Sequence, residues 1–358
     1  EALVLNDTAG AYYEFPPSKQ YVFAAPDTSQ RTRGFSPLGS HAAGGLAEAW
    51  TGGSYPFDER DLDDWPIGWR ELEPYYGRVA GRIGVSGSDR DDMVAHFPVH
   101  PSLQPELRAD RHSQHLLDRY ARVRERWQRR GARMGRARVA TLSQPLGGRP
   151  ACHHSGRCQW GCPTDAFYTP SVTLHACQAD PRFEYVPGQY VTHLELSSEG
   201  RARAAIARSP GGEEERHEAS RIILAAGTLN TAEIILRSFV RAGTQPPELG
   251  GLMDNRQVLM PFVNLALLGE RFQEESYQYH QVTIGLDPGG TRDYVHCLIT
   301  TLTTALGRPV VQALPCSLRP CLAGCRGGRG AGGGRGGRCG GLRRRGWLVG
   351  GGGVGQGG

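Results

Sequence analysis

Residues 221–238 read RIILAAGTLNTAEIILRS. The first part, RIILAAG, is a short apolar run ending in small residues. The rest carries apolar side chains at Leu229, Ala232, Ile235 and Leu236, the three- and four-residue spacing of one helix face. The stretch predicts a buried strand, a small-residue turn and a helix. Such a unit brings backbone close to a dinucleotide phosphate, although many α/β folds use Ala-Ala-Gly simply for close packing.

Upstream, from Phe183 onward, apolar and polar residues alternate around turn signals at Ser198-Glu199-Gly200 and Pro210-Gly211-Gly212. This predicts strands joined by hairpins. Two helices are expected earlier. One runs from near Pro66 to Gly84, with Leu72, Tyr75, Tyr76, Val79 and Ile83 on one face. The other lies in HSQHLLDRYARVRERWQRRG, with a stripe of Leu116, Leu117, Tyr120, Val123 and Trp127 and a stop at Gly131. Its arginines fit a solvated outer face. The fold class is therefore mixed α/β.

A second small-residue loop, GSHAAGGLAEAWTGGSYPF from Gly39 to Phe57, has the pairs Gly44-Gly45 and Gly52-Gly53 flanking Leu46 and Trp50. Glycine lets backbone approach a planar or phosphorylated cofactor where a Cβ would collide, and a neighbouring Trp can wall the pocket. A flexible surface loop would look the same.

The densest chemistry lies in CHHSGRCQWGCPTDAFYTP, with Cys152, Cys158 and Cys162 spaced Cys-x5-Cys-x3-Cys and His153 and His154 adjacent. Structural zinc sites pair their ligands more regularly, and an iron–sulfur cluster held by four thiolates would have to recruit Cys177. Buried, reduced cysteines bracing a loop are expected, with no metal; a metal-binding redox centre is the alternative.

With 358 residues the chain can bury a large core, and two domains are expected. The net charge is +5, but eight arginines lie between Arg319 and Arg345, and without them it is −3. The Gly- and Arg-rich segment 316–358 should be disordered. It reads either as the product of an out-of-frame GC-rich gene, which is favoured, or as an Arg-Gly RNA-binding box. Nucleic acid is not the expected partner. No apolar run approaches the roughly 20 residues that span a bilayer, and nine scattered cysteines do not form a secreted disulfide framework. A reducing, cytoplasmic compartment is expected.

Four of these segments, in order, resemble the glucose-methanol-choline oxidoreductases. They are the Gly44–Gly53 loop with PFDERDLDDWPIGWRELEPYYGRVAGRIGVSG behind it, the cysteine stretch, YVPGQYVTHLEL, and RIILAAGTLNTAEIILRS. The resemblance spans roughly residues 30 to 315. It implies a FAD-binding three-layer domain (1–255, incomplete) and the start of a substrate domain on an antiparallel sheet (256–315). It also implies FAD as cofactor, with Gly44, Gly45, Leu46, Trp50, Gly52 and Gly53 along the flavin, Val191 against the adenine, and Ala225, Ala226 and Gly227 near the phosphates.

The implied reaction moves a hydride from the carbon of a small-molecule alcohol to flavin N5 while a His base takes the hydroxyl proton. The electron acceptor is not specified. His41 does not match the family's covalent flavin attachment, so a dissociable FAD is expected. The Gly-x-Gly-x-x-Gly loop of that family is not found in residues 1–39, and its C-terminal catalytic His segment is replaced by the Gly-Arg tail. The chain, which starts at Glu1, therefore reads as the middle of such an enzyme and is expected to be inactive by itself. His280 and His296 read as structural residues on strands, so no catalytic residue is assigned.

Overall fold

A computed structural model describes residues 17–23, 39–63, 65–252, 260, 262, 264–267, 270, 273–287, 289 and 294–300. The tail 316–358 and half of the expected 256–315 segment lie outside the described residues. The architecture is mixed α/β. Helix α1 (Trp69–Ile83) ends at Gly84, and α2 (Arg111–Gln128) ends three residues before Gly131, both near their expected stops. Asp110 caps α2, its carboxylate accepting from Ser113 N.

Three small sheets carry the strands. Strands β1 (Val85–Ser86) and β2 (Leu103–Gln104) form a two-residue parallel pair. Strand β3 (Ala132–Arg136) pairs antiparallel with β7 (His280–Leu286), which pairs antiparallel with β8 (Val295–Thr300). This sheet thus joins strands from both sides of residue 255. Helix α2 covers it: Leu116, Leu117, Tyr120 and Trp127 pack with Met134, Val282, Ile284 and Ile299. Val123, expected in the same stripe, remains 38% exposed.

The third sheet is the meander expected from the alternation. It consists of β4 (Tyr190–Leu196), β5 (Ala202–Arg208) and β6 (Glu214–Glu218). Its turns close through Gly200 N to Ser197 O and Gly212 N to Ser209 O, both 2.9 Å. A short helix α3 (Pro170–Gln178) precedes it, and α4 (Thr228–Arg241) packs on β4.

The strand expected at 221–227 is not formed. The segment has no regular secondary structure, no strand among the described residues pairs with it, and Ile223 is 89% exposed. A run that is apolar on both faces becomes a strand only between neighbours that take its hydrogen bonds. Without them the residues stay irregular and largely solvent-accessible. The described residues form a short parallel pair, two antiparallel sheets and helices beside them, a mixed α/β arrangement consistent with an incomplete α/β domain.

Ser238 fastens α4 to the meander. Its buried hydroxyl accepts from Leu194 N at 2.7 Å and donates to Ile234 O at 2.6 Å. Ser238→Ala would leave the Leu194 amide without that partner, a loss of about 1–3 kcal/mol. The expected result is a lower urea midpoint with an unchanged slope.

Candidate functional site

The Gly44–Gly53 loop has one fixed end and one open end. At the fixed end, Trp50 Nε1 donates to Tyr168 O at 2.8 Å, and its ring lies 6.2 Å from Phe167. Gly52 has φ +74°, and a Cβ there would stand 2.6 Å from the Phe167 ring, so glycine is required twice over. Its carbonyl accepts from Ala140 N at 2.7 Å, Gly53 bridges to Val139, and Ser54 N donates to Arg138 O. Trp50 thus packs onto the protein with its N–H engaged.

At the open end, residues Gly45–Glu48 form a single 3-10 turn. Nothing lies within 4 Å of where a Gly45 Cβ would stand, and Leu46 is exposed. The buried Glu48 carboxylate holds the turn by accepting from Ser171 N and Oγ, at 2.7 and 2.8 Å, in the first turn of α3. Lys19 Nζ donates to the Glu48 carbonyl at 2.6 Å.

The loop's entry lies beside the meander. The His41 ring is 5.5 Å from that of Tyr190, the first residue of β4. Val191 follows, half-buried and paired with Ala207. Ala225, Ala226 and Gly227 are exposed at the start of α4, with Gly227 as its N-cap and no side chain capping the helix. They connect to Val191 only through the packing of α4 on β4.

Cys152, Cys158 and Cys162 come together. They pack with Trp50 against a core of Leu107, Ala137, Val139, Phe167, Tyr277 and Tyr279, and they line a cavity of about 50 Å³ with Thr141, Phe167 and Tyr277. Burial pushes the Cys158 thiol up to about 12, and the neighbouring thiols add to the shift. Burial likewise raises Cys152. Both stay protonated near neutrality. All described cysteines are free, and among the described residues no group of three His, Cys, Asp or Glu side chains stands in the geometry of a metal-ion site.

Sequence reasoning passed over residues 276–279. Tyr277 is fully buried with its hydroxyl 3.2 Å from Thr141 Oγ1, Gln278 donates to Gly156 O, and Tyr279 donates to Cys158 O at 3.0 Å. Alternating tyrosines at 275–280 were the available signal. Next to them His280 places Nε2 2.8 Å from Thr51 Oγ1 and Nδ1 2.9 Å from Thr300 Oγ1. His296 lies between Thr283 Oγ1 at 3.1 Å and the Tyr294 hydroxyl at 3.0 Å.

No protein-family model matches the chain. The large subunit of fructose dehydrogenase from Gluconobacter japonicus is 22% identical over 236 residues, 62% of this chain and 40% of that protein. The chain thus spans less than half the length of this curated relative.

Burial first, then His296, lowers His280 to about 4; burial first, then His96, lowers His296 to about 4. In the unfolded chain both rings ionise near 6.5. The unfolded state therefore binds more protons between these values, so stability falls as pH drops from about 6.5 to about 4 and levels off below. Each unit of separation is worth about 1.4 kcal/mol per ring. Urea midpoints should fall across that window, and the NMR signals of both rings should not titrate above about pH 5.

Proposed function

We propose that this chain contributes the flavin-contacting portion of a FAD-dependent oxidoreductase of the glucose-methanol-choline type, oxidising the CH–OH group of a small alcohol or sugar. The observation that carries it is the contact of His41 with Tyr190. It brings His41, three residues before the glycine loop, against Tyr190, the residue before Val191; the family resemblance assigns both segments to one cofactor. The similarity to a dehydrogenase subunit supports the redox class.

The residues fit the cofactor at two exposed, small-residue surfaces. A Cβ at Gly45 or Gly227 would meet nothing within 4 Å, so both backbones are open to a large ligand. Gly44, Gly45 and Leu46 would lie along the flavin, with Trp50, Gly52 and Gly53 holding the loop's far end. Val191 would face the adenine. Ala225, Ala226 and Gly227 would meet the phosphates at the N-terminal end of α4, whose first N–H groups and dipole suit an anion. When bound, FAD supplies the hydride acceptor that no side chain offers. The substrate proton needs a base poised near neutrality. Neither His280 nor His296 meets that need, since each is lowered to about 4, chiefly by burial, and hydrogen-bonded at both nitrogens.

The test uses the full-length gene product. Acid extraction is expected to release FAD, and an artificial dye is expected to be reduced with one member of a panel of alcohols and sugars, fructose included. Protein without flavin would refute the proposal.

A second reading rests on the three thiols around one cavity. They would form a metal–thiolate redox centre beside the flavin loop. Cys158→Ser separates the two roles. If the thiols only pack, the protein loses about 1–3 kcal/mol for a hydroxyl in an apolar site and its metal content is unchanged. If they hold a metal, the metal content of the purified protein falls.

A further inference from the structure

Thr51 stands immediately before Gly52, at the fixed end of the glycine loop. Its hydroxyl meets His280 Nε2 at 2.8 Å, and the other ring nitrogen meets Thr300 Oγ1 on β8 at 2.9 Å. His280 is 9% exposed and begins β7, the central strand of its sheet, which β3 and β8 pair on either side. The ring also covers the backbone of the loop: a Cβ on Gly53 would stand 3.8 Å from His280 Cδ2. A neutral imidazole has one donor and one acceptor, and two rotatable hydroxyls satisfy both in either tautomer. The loop end is thereby held from two sides, by Tyr168 through Trp50 and by the β3-β7-β8 sheet through His280.

We propose that His280 is a positioning residue for the glycine loop: its imidazole clips Thr51, and with it the Gly52-Gly53 turn, to the antiparallel sheet so that the loop is preorganised for its cofactor. The role of the loop rests on the flavin reading above; the clip itself does not. Rigid placement of the loop lowers the ordering cost of binding, so loosening it should weaken the ligand without abolishing the fold. Because His280 carries two buried bonds, its removal could unfold the protein. Thr51 is exposed, and cutting the clip from that side avoids the difficulty.

The experiment compares Thr51→Val, Thr51→Ser and the unaltered full-length protein. Backbone amide hydrogen exchange at Ser54 and Ala140, whose N–H groups donate to Arg138 O and Gly52 O at this loop end, is expected to rise about five- to tenfold in Thr51→Val, the factor corresponding to one lost hydrogen bond. Thr51→Ser, which keeps the hydroxyl, should restore the original rate. The dissociation constant for FAD, titrated into apoprotein, should rise by a similar factor in Thr51→Val and recover in Thr51→Ser. Unchanged exchange in Thr51→Val would overturn the clip. Faster exchange with unchanged FAD affinity would overturn the positioning role. If the unaltered protein binds no FAD, the flavin reading has failed, and the positioning proposal falls with it even where the exchange data uphold the clip.

Discussion

Residues 137–142 connect nearly every part of the candidate site through their backbone. Ala137 N reaches Gln281 O in β7, Val139 exchanges both bonds with Ser86 in β1, and Ala140 N takes the Gly52 carbonyl. On the far side Tyr168 N donates to Ala140 O, Leu142 N to Ala166 O, and Cys152 N to Leu142 O. A segment this deeply buried must pair its N–H and C=O groups. It does so with the glycine loop, the cysteine stretch and two sheets, fixing them relative to one another. Val139, Ala140 and Leu142 are all essentially inaccessible, so the connection is also the centre of the packing.

The surroundings of that segment are arranged to stay uncharged. Cys152 and Cys158 are held as thiols and His280 and His296 as neutral rings, in each case chiefly because burial penalises the charged form. Arg138 is a buried guanidinium that donates to the carbonyls of Phe97 and Pro98 at 2.7 and 2.6 Å and lies over the Phe97 ring. Burial lowers its pKa, and Asp91 works in the opposite direction. It serves as a cross-brace, joining the 137–142 segment to residues 97–98 through several donors at once, as a planar fork can.

The two ends of the glycine loop illustrate how rigidity and openness coexist. Gly52 is enclosed because Phe167 occupies the space a side chain would need, whereas Gly45 faces open space. One residue type serves opposite purposes seven positions apart. Composition cannot tell the two apart; neighbours from distant parts of the chain decide it.

The sequence by itself determined the elements whose cause is local. Helices α1, α2 and α4 follow from apolar residues repeating at three and four, and the β4-β5-β6 meander from alternation broken at two turns. Each helix or single-strand signal lies within a window shorter than twenty residues and is enforced by backbone geometry there. Only the tertiary structure decided what depends on distant partners. The apolar run 221–227 looks like a strand but is not one, because a strand exists only where another supplies its hydrogen bonds. Cys152, Cys158 and Cys162 share a cavity because residues 276–279 fold against them, and His280 meets Thr51 across 229 positions. No periodicity encodes a contact at that separation; it arises when burial and hydrogen bonding are satisfied together across the whole chain.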